Sequence, residues 1–181
     1  TDLPPGSQGC VDIATQLLES MEAGKVVLAL GGGRRSFQTD SRDLITRWID
    51  GQGRYMATTG DLRAWDKKGR ALGLFSSSHL DWEVAREQGE DGQPSLAEMT
   101  RAALERLQGG DNQGYMLMVE AGRIDHAHHQ NMAKMAMEET LALEEAVEVV
   151  MEMTAREDTL VIVTADHSHA VTINGYPERG N

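Results

Sequence analysis

The arrangement that most limits how this chain can fold is a pair of apolar runs, residues 115–119 and 159–164, separated by a long amphipathic stretch, residues 131–154. Strand, helix and strand in that order make a βαβ unit, with parallel strands and a right-handed crossover in nearly all cases. The run 159–164, Thr-Leu-Val-Ile-Val-Thr, reads as the clearest buried strand of the chain. The C-terminal ends of both strands then emerge at one edge of the sheet, where ligands of open α/β sheets collect. Residues about forty apart in sequence are therefore expected to meet in space.

The residues just past each strand suit a metal. Five of the six histidines fall between His126 and His169, in two clusters. The first is Glu120-Ala121-Gly122-Arg123-Ile124-Asp125-His126-Ala127-His128-His129, and the second is Asp166-His167-Ser168-His169. Asp125 and His129 are spaced i,i+4, so a helical turn there puts a carboxylate oxygen and an imidazole nitrogen on one face. Asp166 and His167 are neighbours just past a strand, where irregular backbone lets adjacent side chains converge. Mixed Asp/His ligation suits Zn²⁺, whereas Glu120, an oxygen-only donor, suits Mg²⁺. His126 and His169 are placed to orient ligands from behind. One His beside one Asp is usually a surface hydrogen bond; two such clusters at matching strand ends would need that coincidence twice. His128 is expected to be exposed, and His79 to be a polar loop residue.

The rest of the chain supplies a scaffold. Residues 12–21 read as a helix with Ile13, Leu17 and Met21 on one face, and 43–49 as another with Leu44, Ile45 and Trp48 apolar. Residues 26–30 form a short buried strand leaving through Gly31-Gly32-Gly33, and 54–59 and 71–75 are weaker strands. Pro94-Ser95 opens a helix running to about Leu107 and ended by Gly109-Gly110. Helices alternating with apolar strands predict a single α/β domain over residues 1–181, a mostly parallel sheet flanked by helices. On the long helix, Met132, Met135, Ala136, Leu143, Val147 and Val150 make the core face. Glu138, Glu139, Glu144, Glu145, Glu148 and Glu152 make the solvated one. The glycine triplet lacks both the GK[ST] ending of a phosphate loop and the spacing of a dinucleotide fingerprint, so a structural turn is preferred to an anion cradle.

Composition excludes several classes. With 17 basic and 29 acidic residues the net charge is −12, which leaves no basic footprint for nucleic acid. No apolar stretch approaches the roughly 18 residues of a membrane span. The one cysteine, Cys10, excludes a disulfide within the chain and a CxxC metal site. It is either a small buried hydrophobe or a thiol whose partner lies outside this segment. The chain opens Thr1-Asp2-Leu3 without an initiating Met, which suggests a mature or excised segment.

The two clusters together resemble the alkaline phosphatase family. Val119-Glu120-Ala121-Gly122-Arg123-Ile124-Asp125-His126-Ala127-His128-His129 is similar to its VEGGRIDHGHH motif, and Thr164-Ala165-Asp166-His167-Ser168-His169 to its TADHSH motif. Gly175-Tyr176-Pro177 with Arg179-Gly180 resembles the next stretch of the animal-type members. Cys10 to Leu17 and Leu30 to Arg34 also match, so the likeness covers nearly the whole chain. It implies phosphate monoester hydrolysis by two Zn²⁺ and one Mg²⁺ through a phosphoserine. Glu120 would bind magnesium. Asp125 and His129 would bind the zinc that activates the attacking water, and Asp166 and His167 the zinc that activates the serine. His126 would sit near the phosphate, through water or the magnesium shell, and His169 would support a metal ligand from behind. The likeness further implies a homodimer outside the cytoplasm, secreted, at the cell surface or periplasmic. It also implies that Cys10 pairs with an upstream cysteine.

The departures matter as much. The family's nucleophile lies in an Asp-Ser-Ala motif upstream of anything here. Thr39-Asp40-Ser41-Arg42-Asp43 is a poor match, and Ser41 reads instead as a helix N-cap. The phosphate-holding arginine and a further zinc-binding histidine belong to missing upstream and downstream segments. The chain is therefore expected to supply five metal ligands and to be inactive alone. Animal-type members carry an extra calcium site in the region matching residues 75–94. Here Ser76 and Gln93 stand where the family has Glu and Asp, and the connector after Gly33 is short, so no calcium is expected. Alternative readings are a related metallophosphodiesterase or phosphomutase, or a non-catalytic metal-binding module.

Overall fold

The computed structural model describes residues 11–110, 114–170 and 175–176. Cys10, Pro177, Arg179 and Gly180 lie outside the described residues. Helix α1 (Ile13–Glu22) starts where Asp12 accepts the Thr15 backbone N–H at 3.1 Å. The same carboxylate pairs with Arg42. Its buried stripe is Ala14, Leu18 and Met21; Met21 is buried as expected and Leu17 is half-buried, but Ile13 points to solvent and Ala14 and Leu18 take the core side. Both stripes have helical spacing; the small Ala14 side chain lets the helix approach its neighbours on the side that is buried.

Three parallel strands form the sheet: β1 (Leu28–Gly31), β4 (Arg54–Met56) and β5 (Ala71–Leu74), in the order β1-β5-β4. The central strand β5 is buried at every residue, as a parallel strand covered on both faces must be. On one side Leu72 and Leu74 pack with α1 and with α3 (Leu44–Asp50), around Trp48. On the other, Ala71 and Phe75 pack with α4 (Thr59–Ala64) and α5 (Leu96–Gln108), around Leu62, Trp65 and Met99. The alternation of residues 71 to 75 therefore assigns each side chain to one layer. This is the expected α/β architecture with a parallel sheet between helices.

Between β1 and α3 the chain forms the four-residue α2 (Arg34–Phe37) and a small hairpin, β2 (Gln38–Thr39) and β3 (Arg42–Asp43). Ser41 sits in the hairpin turn, not at a helix start. Asp43 caps α3, accepting the Thr46 N–H at 2.9 Å. The glycine triplet is a turn. Gly33 N–H donates to the Ser78 carbonyl at 2.6 Å, and Arg34 and Arg35 donate to Ser76 and Ser77, so these amides are spent on the protein. Gly32 is required there because a Cβ would lie 2.1 Å from the Ser78 oxygen.

The second half departs from expectation. Residues 115–119 and 159–164 are not ladder strands among the described residues, and the second run is not buried. Met116, Met118, Leu160, Ile162 and Val163 are all well exposed. Apolar β-branched composition gives a segment the propensity for a strand, but only a neighbour's hydrogen bonds make it one. The helices between them do form: α6 (Arg123–His129), then α7 (Ala133–Met153), separated by Asn131 in the left-handed region at φ 56°. Helix α7 packs against α5 and α6. Its most buried residues are Ala136, Glu139, Ala142, Ala146 and Val149, with Leu143, Val147 and Val150 half-buried beside them. Glu139, expected on the solvated side, is buried because the turn Glu83–Ala85 lies across α7 at that point.

Candidate metal centre

Asp125 is the hub of the site. Helix α6 places it one turn before His129, whose Nε2 lies 3.4 Å from Asp125 Oδ2. From the second cluster, 44 residues away, His169 Nε2 donates to Asp125 Oδ1 at 3.1 Å. His167 Nε2 approaches the same oxygen at 3.7 Å. The two clusters therefore meet, as the sequence predicts, although the strands expected to carry them are not paired. Asp125, His129 and His169 each offer a ligand atom within 4.8 Å of the others. The His169 ring also stacks on His128 at 5.1 Å and meets His129 edge-on at 4.7 Å. His128, expected to be exposed, is half-buried in this ring cluster.

Hydrogen bonding at His167 decides what the site can hold. Its Nδ1 lies 3.1 Å from the Ser168 carbonyl, which can only accept, so Nδ1 carries the proton. The other ring nitrogen, Nε2, faces Asp166 Oδ2 at 3.3 Å as well as Asp125 Oδ1. The Asp166 oxygen and the His167 nitrogen thereby make a donor pair that a cation can bind. Use of the other ring nitrogen on a backbone carbonyl is the usual support of a metal-binding imidazole. Asp166 is further fixed by accepting the His167 backbone N–H at 3.0 Å.

The electrostatics agree. Partial desolvation pushes the Asp125 carboxyl up. The His169 hydrogen bond and the nearby His129 and His167 outweigh that and hold it below the usual carboxylate range. The donor set, two carboxylates and two or three imidazoles, fits zinc chemistry. Glu120 stands exposed and makes no ion pair or hydrogen bond with this cluster among the described residues.

Two neighbours escape a sequence reading. His79 is an exposed loop residue, as expected, and it also meets His126 edge-to-face with ring centroids 4.4 Å apart. Partial desolvation first, then the charges of His126, Arg123 and Arg35, hold His79 below the ordinary imidazole range. Trp82, three residues on, lies under the Arg123 guanidinium at 3.6 Å. The His-x-x-Trp spacing is the only signal for them, and it is too common to point anywhere. In the region where no calcium is expected, Gln93 is engaged with Asp81. Its Oε1 accepts the Asp81 N–H at 2.8 Å, and its Nε2 donates to the carboxylate at 3.0 Å.

Comparison with known proteins points the same way. A family model described as alkaline phosphatase matches residues 4–181. The membrane-bound alkaline phosphatase of Bombyx mori is 36% identical over 195 residues, covering 94% of this chain and 34% of that protein. The tissue-nonspecific alkaline phosphatase of Rattus norvegicus is 37% identical over 208 residues, covering 99% of this chain and 39% of that protein. The chain thus spans little more than a third of the length of these relatives. Among solved structures, the alkaline phosphatase of Thermus thermophilus superposes with a TM-score of 0.66 at 34% identity. That match covers 76% of this chain and 29% of that one.

Proposed function

This chain belongs to the alkaline phosphatase family, and from that premise we propose that it supplies the metal-binding part of a phosphomonoesterase site. It forms one part of a single α/β domain whose remainder lies in other residues of the full-length polypeptide. The observation that carries the reading is the meeting of the two clusters: His169 lies on Asp125 across 44 residues of sequence with His129 beside them, and His167 lies next to Asp166.

Asp125 and His129 would hold one Zn²⁺, Asp166 and His167 a second, and Glu120 a Mg²⁺. When bound, such cations stabilise the entering and leaving oxygens of an in-line displacement at phosphorus. The protein's part is to fix geometry. His169 donates to Asp125 and orients that carboxylate. Ser168 fixes the His167 tautomer through its carbonyl. His126, on the same helix, faces the substrate phosphate. The displacement passes through a phosphoserine whose serine belongs to another part of the polypeptide, as do the phosphate-holding arginine and a further zinc-binding histidine. The full-length protein is proposed to act as a homodimer outside the cytoplasm. Among the described residues no helix is long and apolar enough to cross a membrane.

In the full-length protein, Asp166→Ala should lower hydrolysis of p-nitrophenyl phosphate by more than about 100-fold and remove one of two zinc ions. Near-normal turnover with unchanged zinc content would contradict the assignment.

A further inference from the structure

Resting on the phosphomonoesterase reading above, we propose that Trp82, Arg123 and His79 form a positioning unit that holds the His126 imidazole with Nδ1 as acceptor and Nε2–H as its donor toward the substrate phosphoryl group. Arg123 Nη1 lies 3.4 Å from His126 Nδ1. A guanidinium can only donate, so this contact requires the lone pair on Nδ1 and leaves the ring proton on Nε2. Arg123 itself is held by stacking. Its guanidinium carbon lies 3.6 Å from the Trp82 ring centre, and its Nε is buried without a hydrogen-bond partner. A buried, unpaired N–H is costly; the orientation persists because Trp82 covers the guanidinium plane, a contact that favours a cation on an indole face.

Trp82 is fastened in turn. The next residue, Glu83, donates its backbone N–H to Glu139 Oε1 on α7 at 2.7 Å, which ties the turn to the helix. His79, at the other end of the same loop, closes on the His126 ring at 4.4 Å with planes 62° apart. His126 is therefore held from two sides, by Arg123 of its own helix, which Trp82 covers, and by His79 of the loop that carries Trp82. None of the three residues reaches Asp125, Asp166 or their histidine partners among the described residues, so they act on His126 and not on the cations.

A double-mutant cycle in the full-length, metal-loaded protein tests this. Trp82→Leu and His126→Ala should each weaken inorganic phosphate binding, measured by calorimetry, by about tenfold, the size of one lost hydrogen bond to a charged group. KM for p-nitrophenyl phosphate should rise alongside, with zinc and magnesium content unchanged. The double variant should be no worse than His126→Ala, and Trp82→Phe should recover most of the loss. Arg123→Lys, which keeps the charge but not the planar stack, should behave as Trp82→Leu does and serves if that variant does not fold. Unchanged phosphate affinity, effects that multiply in the double variant, or loss of metal would overturn the positioning unit. A wild-type protein that neither hydrolyses phosphomonoesters nor binds phosphate would instead overturn the phosphatase reading on which it rests.

Discussion

At the scale of single residues, Asp125 and Glu139 are two carboxylates with opposite fates. Asp125 is stabilised as an anion by the imidazoles around it, and Glu139 is penalised as one. Burial pushes the Glu139 carboxyl above its ordinary value of 4.5, helped by the nearby Glu83 charge and opposed by the Glu83 N–H and by Arg123. The folded chain then holds a proton at Glu139 that the unfolded chain has released, so stability falls as pH rises from about 4.5 through the folded value. Glu139→Gln keeps the acceptor for the Glu83 N–H and removes the charge. The variant should melt higher than wild type at pH 7, and the difference should vanish below pH 4.5; thermal melts across that range check it. An equal difference at both pH values would show that packing, not ionisation, sets it.

At the scale of elements, local chemistry reads well from sequence where one segment decides its own structure. Ser95 and Glu98 form a reciprocal cap: Ser95 Oγ accepts the Glu98 N–H at 3.1 Å, and Glu98 Oε2 accepts the Ser95 N–H at 2.9 Å. Ser95→Ala should cost about 1 kcal/mol in chemical denaturation. That helix start was legible because Pro94-Ser95 is a strong stop-and-start signal. The Ser41 expectation failed because a two-residue turn at Asp40-Ser41 leaves Asp43 nearer the helix and better placed to cap it. Residues 159–164 failed for a different reason. A strand's composition is local, but its pairing is not, and the neighbour that would pair with it is nowhere in its own sequence. The Asp125 and His169 contact was legible because the long helix α7 carries the chain away from α6 and the segment after it comes back to Asp125. The contacts of His79 and Trp82 were not, because a loop's path over a helix depends on packing that no spacing encodes.

At the scale of the molecule, the sheet core around Trp48 and Phe75 is closed on both faces, while the half carrying the metal ligands is open. Met116, Met118, Leu160, Ile162 and Val163 expose apolar surface on two extended segments without ladder partners among the described residues. Unpaired, apolar extended chain is a template for association. The 181-residue chain by itself should therefore self-associate at micromolar concentration and show little turnover of p-nitrophenyl phosphate. Light scattering should detect this, and Ile162→Lys should reduce it. A monodisperse, active 181-residue chain would mean that the ligand half completes its own site.

The central claim is that Asp125 with His129, and Asp166 with His167, each grip a zinc ion. Anomalous diffraction at the zinc edge, from crystals of the full-length metal-loaded protein, tests it directly. Two peaks are predicted, each about 2.0–2.2 Å from the carboxylate and imidazole atoms of its pair. Zinc peaks away from these four side chains, or none at all in a protein that hydrolyses phosphomonoesters, would contradict it.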